Sequence, residues 1–323
     1  MRTMRTMTRF GPRFAITLVL ALAGFLSVPA HAESQDTIDL QVRLARVHAS
    51  PGPVDGLMGK NTENAIKAFQ RINGLEPTGE MNEQTHQKLD EVGDEPTMLD
   101  YEITEADIKG PFLDAIPAKM IEMAKLDGLY YTSPLELLAE KFHMDQDLLQ
   151  SLNAGKALDK AGTVIKVTDL ADLSLDIPVK RLEIDKVGHT IDAYDASEKL
   201  VAVYPATIGS DDTPSPEGEH TITGIAENPT YTYNPDKLDF KGVDSDKQFT
   251  IPPGPNNPVG IVWIALDAPG YGIHGSPAPA KIRRQQSHGC VRLTNWDALS
   301  LARAVKQGMP VTFIPAKGEA GTQ

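Results

Sequence analysis

The chain of 323 residues carries 31 Lys and Arg against 44 Asp and Glu, a formal net charge of -13, and a single cysteine. That acidity excludes nucleic acid and anionic membrane surfaces as partners, because binding phosphates requires a basic face. One cysteine excludes an internal disulfide framework, and the length exceeds what one hydrophobic core usually serves, so several domains are expected.

The chain starts with a basic segment, Arg2, Arg5, Arg9 and Arg13, followed by an almost wholly apolar run from Ala15 to Val28 and then Ala30-His31-Ala32, a small-x-small cleavage pattern. The run is shorter than the roughly 20 residues that cross a bilayer. Residues 1–32 are therefore expected to be a cleaved export signal, with no transmembrane span after cleavage and the periplasm or cell envelope as the location. Removing them takes away four arginines and no acid, leaving 27 basic against 44 acidic side chains and a net charge of -17.

Apolar residues next recur at helical spacing in Leu40-Gln41-Val42-Arg43-Leu44-Ala45, in Thr62 to Phe69 and in Thr85 to Leu89. Pro51 to Gly59 punctuates the first two with glycines, and Thr62 is a plausible N-cap. Asp55-Gly56, Gly59 to Thr62, Ala65 to Gln70 and Gly74 to Gly79 resemble the pattern of the peptidoglycan-binding-like three-helix domain, giving a first module at 36–92. Residues 93–127, rich in Asp, Glu and Pro, read as a linker. Residues 128–170 then run short strand, helix, helix ending in Asn153, short strand, and resemble a degenerate LysM module with Ser133-Pro134 where that family has Gly-Asp. A structural spacer is the alternative.

From 178 to 316 the period changes to short strands, Arg181 to Asp185, Thr190 to Tyr194, Leu200 to Tyr204 and Val259 to Leu266, with one clear helix at Ala298 to Val305. A flexible tail is expected at 317–323. Within this region Cys290 lies in Ser287-His288-Gly289-Cys290-Val291-Arg292-Leu293, sixteen positions after His274 in Tyr271-Gly272-Ile273-His274-Gly275. A lone cysteine in an exported chain is a candidate reactive thiol. The alternative, a small buried hydrophobe, fits poorly with Ser-His-Gly on one side and an arginine on the other.

Acyl transfer needs a nucleophile, a base within reach and donors for the oxyanion. A thiol of ordinary pKa, about 8.5, needs a neighbouring imidazole to react near neutrality, and His274 and His288 are both candidates. The main-chain N–H groups of Gly289 and Cys290 are natural oxyanion donors. Gly275 and Gly289 either admit substrate or serve turn geometry. Arg292 either binds a substrate carboxylate as a fork or makes a structural ion pair with Asp297 or another acid. Ser287 is a candidate to orient the base or the loop, and Tyr271 to line the cleft. Arg283, Arg284 and Gln285 read as a solvated turn. His48, His86, His143, His189 and His220 set no metal spacing, so neither metal nor cofactor is expected. No phosphate-binding glycine loop or Ser-x-x-Lys supports nucleotide or serine-acyl chemistry.

Pro214 to Gly218, Asn257-Pro258-Val259-Gly260, Ile273-His274-Gly275 and Ser287 to Leu293 resemble, in order and spacing, the L,D-transpeptidase catalytic domain of the YkuD type. Where that family commonly has Thr-Pro-x-Gly, this chain has Ser215-Pro216-Glu217-Gly218. The resemblance implies a multidomain protein whose mainly β catalytic sandwich or barrel follows a small helical module and a βααβ module. It implies Cys290 as nucleophile, His274 as its base and His288 as a loop organiser. It also implies a thioester at the third residue of a tetrapeptide donor, release of D-Ala, and transfer to a stem amine as a 3-3 cross-link. Water as acceptor would make a carboxypeptidase or amidase, and a lysine of an outer-membrane protein would give protein anchoring. A non-catalytic wall-binding protein is the reading from outside enzymology. Peptidoglycan stem peptides and glycan strands are the expected partners.

Overall fold

The computed structural model describes residues 34–171, 173–209, 214–235, 247–284 and 289–314. The expected export signal, Ser287, His288, Gln285 and the expected tail lie outside the described residues.

The first helical stretch builds α1 (Gln35–Arg46), α2 (Lys60–Ile72) and α3 (Glu83–Asp90). Apolar faces meet at Leu40, Leu44, Ile66, Phe69 and Leu89. Two glutamines hold the loops. Gln41 Oε1 accepts the N–H groups of Asp55 and Gly56, and Gln70 Oε1 accepts that of Gly79, which sits at positive φ where a side chain would be strained. Thr62 does not cap α2, which begins at Lys60 behind Gly59. Its hydroxyl instead donates to Leu57 O and accepts from Gln41 Nε2.

The expected linker at 93–127 contains β1 (Met98–Glu102), α4 (Glu105–Lys109) and α5 (Met120–Met123). Beyond it come α6 (Pro134–Lys141), α7 (Gln146–Leu152) and β2 (Val164–Thr168). β1 pairs antiparallel with β2, Met98 opposite Thr168. The first strand of the βααβ arrangement thus comes from the supposed linker, whose acidic and proline-rich composition masked a five-residue strand. Ser133 Oγ caps α6 with Pro134 in its first turn. Asn153 closes the unit, donating to Leu149 O and Lys166 O and accepting from Lys166 N.

The last region forms β3 (Arg181–Asp185), β4 (Thr190–Tyr194), β5 (Leu200–Pro205), β6 (Thr207–Ile208), β7 (Gly218–Glu227), β8 (Tyr231–Tyr233), β9 (Phe249–Ile251), β10 (Val262–Leu266), β11 (Gly272–His274), β12 (Val291–Arg292), α8 (Asn295–Ala304) and β13 (Pro310–Ile314). Among the described residues nine strands make one sheet in the order β5-β4-β3-β13-β7-β10-β11-β12-β6, and β8 and β9 pair separately. Only Ala206 separates β5 from β6, yet they stand at opposite edges. One run of chain supplies both edges, so the sheet curls back on itself as a barrel-like sandwich. Inside are Leu182, Ile184, Val262, Ile264, Ile273, Val291, Phe313 and the apolar side of α8.

The three regions are packed together rather than strung out. β5 is buried on both faces: Val201, Ala202 and Tyr204 belong to the barrel core, whereas Leu200 and Val203 join the core of α1 and α2. Residues 48–50 extend the edge, Val203 N donating to His48 O at 2.8 Å and Ser50 N to Val203 O at 3.0 Å. Covering an edge in this way removes a site for aggregation. Ile38, Val42 and Val54 likewise pack with Leu138, Phe142 and Ile165 of the middle module.

Candidate active site

β11 and β12 run parallel, with Ile273 opposite Val291 and His274 opposite Arg292. Successive side chains on a strand point to opposite faces. Ile273 and Val291 enter the core, at 0% and 1% exposure. Gly272, His274 and Arg292 therefore share the other face, and Cys290, in the bend just before β12, lies against the Gly272 N–H and within reach of the Arg292 charge. Antiparallel β10 adds Trp263 opposite His274, and the two rings stack at 5.6 Å with planes 22° apart. The row Trp263–His274–Arg292 crosses three adjacent strands, with Cys290 two residues before Arg292.

His274 Nδ1 lies 2.6 Å from Gly275 O. A carbonyl only accepts, so Nδ1 carries the proton and Nε2 is the basic nitrogen of the neutral ring. Burial, and then the charge of Arg292, depress the imidazole pKa to about 3. Burial raises the Cys290 thiol, while the Gly272 N–H and the Arg292 charge pull it partly back. Both groups are therefore shifted towards their neutral forms, against the activation of the thiol that a neighbouring imidazole was expected to give. Burial disfavours both charged forms, and a fixed arginine already occupies the cationic place beside the sulfur.

Arg292 does not pair with Asp297. That carboxyl accepts from Ser50 Oγ at 2.9 Å and from Thr294, and burial pushes its pKa to about 7. Arg292 instead faces Cys290 and Tyr231 of β8, and its buried Nε has no hydrogen-bond partner among the described residues. Burial and the nearby sulfur raise the Tyr231 hydroxyl well above its ordinary pKa.

Gly289 has φ of +98°, and a Cβ there would lie 2.6 Å from the Tyr271 ring. Tyr271 thus shapes the turn before Cys290. Ser215 Oγ donates to Gly289 O at 2.7 Å, giving the Ser215-Pro216-Glu217-Gly218 segment a job: it holds the turn that precedes Cys290. Gly275 is needed for packing, since a Cβ on it would lie 2.3 Å from Asn295 Oδ1. Of the expected site, Cys290, His274, Arg292, Gly289, Gly275 and Tyr271 come together, while Ser287 and His288 lie outside the described residues. Trp263, Gly272, Ser215, Tyr231 and Asn295 were not foreseen as parts of the site. Ser215 and Gly272 lie inside motifs read from the sequence, and nothing in the sequence tied Trp263, Tyr231 or Asn295 to the site. Among the described residues no three His, Cys, Asp or Glu side chains stand together as metal ligands, and no helix is long and apolar enough to cross a membrane.

Residues 179–313 match the family model of the YkuD L,D-transpeptidase catalytic domain, and residues 33–89 match a peptidoglycan binding domain. Among curated proteins, L,D-transpeptidase YkuD of Bacillus licheniformis is 30% identical over 194 residues, covering 58% of this chain and 99% of its own length. L,D-transpeptidase YbiS of Escherichia coli is 29% identical over 199 residues, 59% of this chain and 63% of that protein. A solved L,D-transpeptidase from Xylanimonas cellulosilytica is 16% identical and covers 88% of this chain and 95% of its own, with a TM-score of 0.38, too low to carry weight.

Proposed function

Since the chain belongs to the YkuD-type L,D-transpeptidase family, and is a transpeptidase by that membership, we propose that Cys290 is its nucleophile, His274 its general base and peptidoglycan stem peptides its substrate. The observation that supports this reading is the pairing of β11 with β12, which sets His274, its Nδ1 committed to Gly275 O, opposite Arg292, two residues after the sole thiol.

The donor is a tetrapeptide stem. As Sγ attacks the carbonyl of its third residue, His274 Nε2 takes the thiol proton, so charge appears only when substrate is present. Main-chain N–H groups of Gly289 and Cys290 receive the oxyanion. The C–N bond then breaks, and Nε2 returns the proton to the departing D-alanine amine. A stem amine attacks the thioester, gives up a proton to Nε2, and the thiol is regenerated as the 3-3 bond forms. Arg292, with a buried donor still unmatched, binds a carboxylate of the donor stem. The acidic chain, export signal and wall-binding module fit action in the periplasm.

Incubating the protein without its export signal with disaccharide-tetrapeptide, and reading products by mass spectrometry, tests the assignment. Cross-linked dimer with loss of D-alanine is expected, and none from Cys290→Ala. Tripeptide alone would assign water as acceptor, and equal turnover by Cys290→Ala would refute the mechanism. Labelling of Cys290 by a carbapenem separates an enzyme from a passive wall-binding protein.

A further inference from the structure

Asn295, the first residue of α8, is 1% exposed and sits at the seam between the catalytic sheet and the middle module. Its Oδ1 accepts the N–H of Ile261 at 3.2 Å, at the entry to β10. The same oxygen fills the space between two glycines: a Cβ on Gly260 would lie 2.1 Å from it, and one on Gly275 2.3 Å. Gly275 follows His274 directly, and its carbonyl receives the proton of His274 Nδ1. The position of the Asn295 amide therefore sets where the base's hydrogen-bond partner stands.

The amide is itself held from outside the catalytic domain. Asn295 Nδ2 donates to Glu140 Oε2 at 2.9 Å and to Pro255 O at 3.2 Å. Glu140 is on α6 of the middle module, 8% exposed. One turn earlier, Glu136 accepts from Asn256 Nδ2 at 2.8 Å, and Asn256 N donates to Leu129 O. α6 and the segment before it thus grip residues 253–261 and Asn295 together. Besides Glu136, Tyr131 faces Glu140, its hydroxyl 3.5 Å from Oε2.

We propose that Glu140 is a positioning residue of the transpeptidase, fixing the His274–Gly275 segment through Asn295, so that the middle module is part of the active-site scaffold rather than only a wall tether. This rests on the reading of His274 as the base. Burial and the neighbouring Glu136 raise the Glu140 pKa to about 8, which favours the protonated carboxyl. A glutamine reproduces its shape and its acceptor oxygen. An aspartate keeps the carboxyl but withdraws it by one methylene, out of reach of Asn295.

The test uses the full chain without its export signal and measures kcat and KM on disaccharide-tetrapeptide, with melting temperature alongside. Glu140→Gln is expected to stay within about 3-fold of the parent kcat, whereas Glu140→Leu and Glu140→Asp lose about 10- to 100-fold in kcat at nearly constant KM, the scale of misplacing a catalytic group by an ångström. If Glu140→Leu does not fold, Glu140→Asp decides. Parent-like kcat in Glu140→Asp, a loss in Glu140→Gln as large as in Glu140→Asp, or losses that only follow the folded fraction would each overturn the proposal. His274→Gln separates the two levels: parent-like turnover there removes the base assignment itself, whereas inactive His274→Gln beside fully active Glu140→Asp removes only the role of Glu140.

Discussion

Arg71 on α2 reaches across the seam to Asp192 on β4, with Nη2 to Oδ2 at 2.5 Å, the carboxylate 2% exposed and the guanidinium 33%. Replacing Arg71 with Met keeps the stem's packing and leaves a buried carboxylate with only Thr190 Oγ1 as donor. Breaking one side of a buried pair costs about 3–5 kcal/mol, and the lower figure applies because a third of Arg71 meets water. At roughly 2 °C per kcal/mol for a chain of this size, the melting temperature at pH 7 should fall by about 6 °C. The pH dependence gives a second reading. Burial already lifts the Asp192 pKa above the ordinary 3.8 despite Arg71. An acid raised in the folded state destabilises it by ionising as pH rises through the folded value, and that cost is absent well below the unfolded value. Removing Arg71 enlarges the cost, so the deficit should be full at pH 7 and shrink towards pH 4. Adding Asp192→Asn should restore most of the loss. Calorimetry of the three proteins across pH decides. An unchanged melting temperature at pH 7, or a deficit that grows on acidification, would refute the reasoning.

Trp263→Ala should admit water to the His274 ring and raise its pKa from about 3 towards the ordinary 6.5, moving the acid limb of carbapenem acylation to higher pH; an unmoved limb would count against burial as the cause. Arg292→Met removes a positive charge that lowers the Cys290 pKa, so the iodoacetamide alkylation profile should shift to higher pH and KM for tetrapeptide should rise. An unchanged profile would mean the charge does not reach the sulfur. Ser215→Ala deletes the bond to Gly289 O, worth about 0.5–1.5 kcal/mol, and should slow acylation about 2- to 12-fold; a parent-like rate would mean the loop is held without it.

The candidate site was legible where it is local in the chain. Cys290, Gly289 and Arg292 are neighbours in one motif, and His274 belongs to another with its own recognisable spacing. The protonation state of the pair was not legible, because it depends on burial and on the charge of Arg292, which strand pairing brings opposite His274. Trp263 looked like any strand aromatic until β10 paired with β11. Ser50 and Asp297 bond across 247 positions of sequence, and nothing local to either announces the other.

By itself the sequence determined the order of modules, the strand and helix periods, the family and the two motifs that hold Cys290 and His274, since each depends on residue type and short-range spacing. Tertiary structure alone decided that β1 comes from the apparent linker, that β5 serves two cores, and that Asn295 and Glu140 connect the middle module to the His274–Gly275 segment. Those facts depend on register and long-range burial. Backbone hydrogen bonds of a strand such as Met98–Glu102 find partners only after the chain has closed a loop of more than sixty residues onto β2, and the energetic gain appears only when the joined faces exclude water.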